Sequence, residues 1–236
     1  MDSIGDIRRD IYGVTPTSTQ EDEERWTPLR RRVRLIMLLH ASETAGLAPI
    51  GIVQLHSLAY LSNVLAPVWE LRPLDGKVMK RRGGPFYPVL QHDLDRLISR
   101  GLVSITNLGY RRDDDGRWRL EGSFYLNYQF ADPIVKRYYE VENHMAAFIE
   151  ELAYAFSALS EQDLQSVVSK DATYADELTA FGNVVDFGEW RTLNYSANAA
   201  NYFRRLLPGG ALPTLGEKLH LYARHLHWRL HGTRTK

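Results

Sequence analysis

Four histidines crowd one short stretch near the C-terminus: His220, His225, His227 and His231 in "LGEKLHLYARHLHWRLH". Leu215, Leu219, Tyr222, Leu226 and Leu230 recur around them at intervals of three and four, the period of a helix. Successive side chains on a helix turn by about 100°, so His220, His227 and His231 fall on one flank of that stripe, with Arg224 among them. His227 and His231 have the four-residue spacing that lets two imidazoles share a metal. A zincin-type site also needs a Glu beside its first His to act as base, and here Trp228 follows His227. Arg224 would repel a cation. The expectation is therefore a polar helix flank, with no metal, no cofactor and no catalytic residue. A metal-dependent enzyme on this helix is the outlying alternative.

Other chemistry-bearing residues are tested the same way. Glu140, Glu142, His144, Glu150 and Glu151 share one helical region, but adjacent helical residues diverge by about 100°, so neither glutamate pair converges. There is no Gly-x-Ser-x-Gly elbow, and Ser99 and Ser104 have no evident base. In "DGKVMKRRGGPF", Val78 follows Gly-Lys and Pro85 removes an amide, so the stretch does not make a phosphate loop. Between Gly76 and Arg82 four cations stand without an acid: Lys77, Lys80, Arg81 and Arg82. Arg112 and Arg117 flank the acidic "DDDG" further on. These six are the candidate contacts for DNA phosphates or a partner. Pairing of Arg81 and Arg82 with acids of this chain or of a partner is the equal alternative.

The chain has 236 residues, 44% of them hydrophobic and 25% charged, which is ample for a core. Lys+Arg and Asp+Glu number 29 each, so no global field draws nucleic acid or anionic lipid. Cysteine is absent, which removes disulfides, thiol catalysis and cysteine-ligated zinc, and fits the expected cytoplasmic location. No apolar run approaches the roughly 20 residues that span a bilayer, so no membrane partner is expected.

Residues 1–24 read as a flexible arm. Helices are predicted over Trp26–Thr44 (Leu29, Val33, Ile36, Met37 and His40 inward; Arg30, Arg31, Arg32 and Arg34 on much of the other face) and over 52–65. A third is predicted from Pro88 to Gly101, with Phe86, Leu90, Leu94, Leu97 and Ile98 as its stripe. Its other face shows Gln91, His92, Asp93, Asp95, Arg96, Ser99 and Arg100. Two strands follow, joined by "DDDG", with Trp118, Leu120, Phe124 and Leu126 on one face of the second. Three helices and then a hairpin is the order of a winged helix. The predicted class is mainly α: a winged-helix-like α+β domain over 25–130 with a β-hairpin wing, then a helical region over 131–236. In the latter, Ile134, Tyr138, Val141, Met145, Phe148 and Leu152 make a heptad-like stripe along one long helix from Asp132. It serves either an intramolecular bundle or a seam, Tyr138 to Leu152, against a partner's coiled coil. Ser160 and Asp163 open a further, shorter helix in capping-box fashion.

The stretch "YLSNVLAPVWEL", the following "LDGKVMKRRGGPFYP" and "LDRLISRGLV" running into the wing carry a family likeness. Over roughly residues 34–128 the pattern resembles the middle components of bacterial ABC-three-component systems, the group that includes Lamassu-type defence operons. A looser likeness runs to Panacea-type antitoxins, with their "GPF" turn before a helix. The first resemblance implies a non-catalytic adaptor subunit in anti-phage or anti-plasmid defence. Its partners would be an SMC-like ABC ATPase and an effector such as a nuclease, with double-stranded DNA as an open further contact. Winged-helix accessory subunits of SMC complexes, the kite proteins, are a fold-level analogy. The alternative is a winged-helix DNA-binding transcriptional regulator or antitoxin.

Overall fold

The structure, a computed structural model, describes residues 17–112, 116, 118–177, 179–187, 194–203 and 212–232. Among them are eight α-helices and two small three-stranded antiparallel sheets. The protein is thus mainly helical α+β. No helix of the described residues is long and apolar enough to cross a membrane.

Two buried helices organise the chain. α1 (Thr17–Thr44) begins inside the expected arm, and every residue from Arg34 to Leu39 is buried. Leu29, expected inward, is 45% exposed instead. α2 (Ile52–Val64) is buried from Gln54 to Val64 on all sides. A helix this rich in apolar residues belongs inside, and most of its buried polar groups find partners there, His56 Nε2 being an exception among the described residues. Ser57 Oγ donates to the Val53 carbonyl at 2.9 Å, and Asn63 Oδ1 accepts from the Leu74 and Asp75 amides at 3.0 and 3.2 Å.

The first sheet joins β1 (Ile50–Gly51), β5 (Trp118–Leu126) and β4 (Val103–Arg112) in the order β1-β5-β4. α3 (Pro88–Ser99) precedes β4, with a proline in its first turn and Gly101 at φ 72 just past its end. Leu94 and Leu97 are buried as their spacing predicted.

The second sheet was not foreseen. β2 (Lys77–Arg81) turns through Arg82 and Gly83 into β3 (Gly84–Phe86), and β6 (Val184–Asp186) pairs with the other edge of β2. The basic stretch is a central strand and not a loop, and the region beyond 131 is not purely helical.

The expected long helix is two: α4 (Tyr128–Val141) and α5 (Asn143–Ser157), broken at Glu142 (φ −131, ψ 46). The break lets both pieces pack on α1 while α5 also meets the last helix, α8 (Leu215–His231). α6 (Glu161–Ser166) starts where Ser160 Oγ accepts from the Asp163 amide at 3.1 Å, as expected. α7 (Tyr195–Tyr202) precedes α8. The buried apolar residues, from Leu35 to Leu226, form one continuous cluster.

Candidate functional site

The six candidate cations have separate fates. Strand alternation turns Val78 and Lys80 to the same buried face of β2. Lys80 is 6% exposed; its Nζ donates to the Asp176 carbonyl at 2.7 Å and sits over the Tyr174 and Phe181 rings. Lys77 pairs with Asp186 across the β2–β6 ladder at 3.1 Å. The Arg81 guanidinium lies 3.5 Å from the centre of the Phe86 ring. Arg82 is exposed at the turn. Arg112 is exposed and its Nε donates to the Gly116 carbonyl at 3.0 Å. Arg117 lies outside the described residues. Lys80 is therefore a structural cation, and the stretch presents less free charge than its composition suggests.

The exposed face of α3 changes in the opposite direction. Asp93, expected on that face, is 2% exposed and turned toward α1, where Arg31 Nε reaches it at 3.0 Å and Arg32 Nε lies at 3.9 Å. What remains exposed is Pro88, Val89, His92, Asp95, Arg96, Ser99 and Arg100. Asp95 accepts from Gln91 at 3.1 Å. Behind this helix a small cleft opens between α1, α2 and the 74–75 segment. Arg34 lines it, buried against expectation, and donates to the Ser62 carbonyl at 2.7 Å while its Nε has no partner. Burial lowers its pKa to about 10.

The distal part of the β4–β5 hairpin carries large apolar side chains outside the core. The register pairs Ile105 with Phe124 and, beyond a bulge, Tyr110 with Leu120 and Arg112 with Trp118. Asn107 takes φ 53 at that bulge, which restores the alternation. Tyr110 and Trp118 therefore share the face of Phe124 and Leu126. Phe124 and Leu126 are buried, whereas Tyr110 is 74% and Trp118 69% exposed. Trp118 shares a face with Phe124 as the alternation predicts, and it extends past the end of the core. Leu108, 61% exposed, reaches over Gly122 on the same side.

Of the proposed helical seam, Phe148 and Leu152 are fully buried in this chain's own core. Tyr138 and Met145 are half-buried, and Val141 is exposed. Two of the five residues are therefore closed to a partner's helix.

The acids and histidines tested for catalysis disperse. Glu140 pairs with Arg137 at 2.8 Å, Glu150 accepts from the Tyr139 hydroxyl, Glu151 meets His220 at 2.8 Å, and His144 contacts the Trp69 carbonyl at 3.0 Å. His225 packs on Phe203 and Tyr222, and burial lowers its pKa. His227 and His231 meet Asp163 of α6. Sequence spacing supplied the two histidines and nothing that pointed to the aspartate.

A buried polar hub, also unforeseen, centres on Asp171. Its carboxylate is fully buried and accepts from Tyr60 at 2.5 Å, Tyr222 at 2.6 Å and Ser196 at 2.7 Å, and from the Thr173 and Tyr174 amides. Burial and the aspartate push both tyrosine pKa values far up, so the phenols stay donors. The hub ties α2, α7 and α8 to the 171–174 turn. All of these side chains are buried among the described residues.

Comparison with protein-family models, with curated proteins and with solved structures finds no match for this chain.

Proposed function

We propose that this chain is a non-catalytic adaptor that docks the tip of its hairpin on a partner protein, in the setting the sequence resemblance implies: an SMC-like ABC ATPase complex of bacterial defence. The observation that carries the reading is the exposed apolar inner face formed by Leu108, Tyr110 and Trp118. Large apolar side chains on a protruding ribbon are what a protein interface buries, and Trp and Tyr are its usual anchors. The element order favours a winged-helix-like domain over the first half. Helix, strand, helix, helix, strand, strand, with β1 beside β5, is compatible with that reading, the β2–β3 hairpin being an insertion in it. The separate pairings of Glu140, Glu150, Glu151 and His144 support a role without catalysis.

The test is co-expression with the ATPase and effector encoded beside the gene. The adaptor reading expects a stable complex that Tyr110→Ser with Trp118→Ser dissolves while the isolated chain keeps its fold by circular dichroism. A monomer that binds neither neighbour overturns it.

One observation favours a second reading, contact with duplex DNA. With Asp93 withdrawn, the exposed face of α3 carries His92, Arg96, Ser99 and Arg100 against a single carboxylate, Asp95. A third helix in this position is the one that enters a major groove. Under this reading Arg96→Ala with Arg100→Ala lowers DNA affinity and flattens its salt dependence. Unchanged affinity removes α3 from the interface.

A further inference from the structure

We propose that Asp163, His227 and His231 form a surface binding site for one transition-metal ion of the zinc type. His227 and His231 lie one turn apart on α8, with ring centroids 4.6 Å apart. Asp163 belongs to α6, far away in sequence. Its Oδ1 lies 2.8 Å from His231 Nε2, and its Oδ2 lies 3.6 Å from His227 Nδ1. One ligand atom from each residue falls within 4.8 Å of the others.

These spacings suit a metal. Bonds of about 2.0–2.1 Å in a tetrahedron hold ligand atoms about 3.4 Å apart. The two aspartate–histidine separations, each to its own carboxylate oxygen, lie on either side of that value, and one ligand atom from each residue lies within 4.8 Å of the others, so side-chain rotations would bring the three residues onto one ion. The carboxylate is anchored, with its side chain 16% exposed, while the imidazoles are 48% and 52% exposed and open to solvent. Two imidazoles with one carboxylate favour Zn²⁺, Co²⁺ or Ni²⁺ over Mg²⁺ and Ca²⁺, which prefer all-oxygen shells. A fourth position stays free for water.

The two objections raised by the sequence do not bear on binding. The absent glutamate would matter to hydrolysis, and no hydrolysis is proposed. Arg224 is exposed, so water and salt screen its charge. An ion here would clip the six-residue α6 to α8, and an ion that binds only the folded chain raises its stability by mass action.

The experiment uses the full chain, stripped with chelator. Zn²⁺ is titrated by calorimetry, and Co²⁺ is followed by its visible d–d absorption. The expected result is one ion per chain and a higher Tm with Zn²⁺. Asp163→Asn, His227→Ala and His231→Ala each weaken binding about tenfold or more, as loss of a ligand should. His220→Ala leaves binding unchanged, because that imidazole pairs with Glu151. Absence of saturable binding by the wild-type chain overturns the proposal. So does Asp163→Asn binding Zn²⁺ as tightly as wild type, which would reduce the site to an ordinary helical histidine pair. The substituted histidines are about half exposed, so the variants keep the fold, and circular dichroism checks it.

Discussion

Asp163 and Asp171 sit one short helix apart and do opposite things. Asp171 is sealed in the core and, among the described residues, held by two phenols, a serine and two backbone N–H groups. Asp163 lies at the surface, where its partners are two imidazoles open to water. A saturated anion in the interior organises packing, because each donor that loses it is left buried and unpaired. A carboxylate beside exposed imidazoles has ligand capacity to spare. The number of hydrogen bonds does not separate a structural acid from a chemical one; what separates them is whether the partners have any other use.

Asp171→Ala should produce the largest effect. It strands the Tyr60 and Tyr222 hydroxyls and the Tyr174 amide, and urea unfolding should show a loss of roughly 3–5 kcal/mol. A loss below about 1 kcal/mol would show that water replaces the carboxylate and would dissolve the contrast with Asp163.

The histidines extend the comparison, because His56 is a buried counterpart of His227 and His231. It is 2% exposed, its Nδ1 accepts from the Tyr87 amide at 3.2 Å, and burial, aided by the Arg81 charge, lowers its pKa to about 4. Between that value and the ordinary one near 6.5 the unfolded chain binds a proton that the folded chain refuses, so stability must fall as pH falls through this window. The loss from His56 between pH 6.5 and 5 should be about 2 kcal/mol. Unfolding of His56→Gln at the two pH values checks this, since the variant should lose that part of the slope. An unaltered slope would assign it to other groups.

Lys80→Met keeps the stem and removes the bond to the Asp176 carbonyl, so about 1–2 kcal/mol should be lost. DNA affinity should not change with it, and a drop there would return Lys80 to the list of contacts. Asp163→Asn should cost under about 1 kcal/mol without metal, because its partners are solvated. Zn²⁺ should widen that gap, which thermal denaturation with and without the ion would show.

At the hairpin tip the smallest effect on folding goes with the largest on function. Trp118→Ser should shift stability by within about 0.5 kcal/mol yet weaken capture of the partner. By contrast Phe148→Ala, in the core, should cost roughly 3–5 kcal/mol.

Periodicity and end signals located most helices and both strands of the hairpin. Leu94 and Leu97 were legible because a helical stripe must be buried, Ser160 because its hydroxyl satisfies an amide that the first turn leaves free. These rules act within a few residues. The break at Glu142 has no proline or glycine to announce it and follows from where α1 and α8 lie. The sheet formed by β2, β3 and β6 needed a strand more than a hundred residues away.

The same distinction governs the functional residues. Spacing alone set His227 and His231 on one flank of a helix, and composition alone placed a cluster of cations at 77–82. Whether a charge is free or spent depends on what packs against it. Tertiary structure put Lys80 under Tyr174 and Phe181, turned Asp93 to Arg31, left Tyr110 and Trp118 beyond the core, and brought Asp163 to the two histidines. Local pattern fixes the direction in which a side chain leaves its own element. Only the meeting of distant elements decides whether water, an opposite charge or a carboxylate is there to receive it.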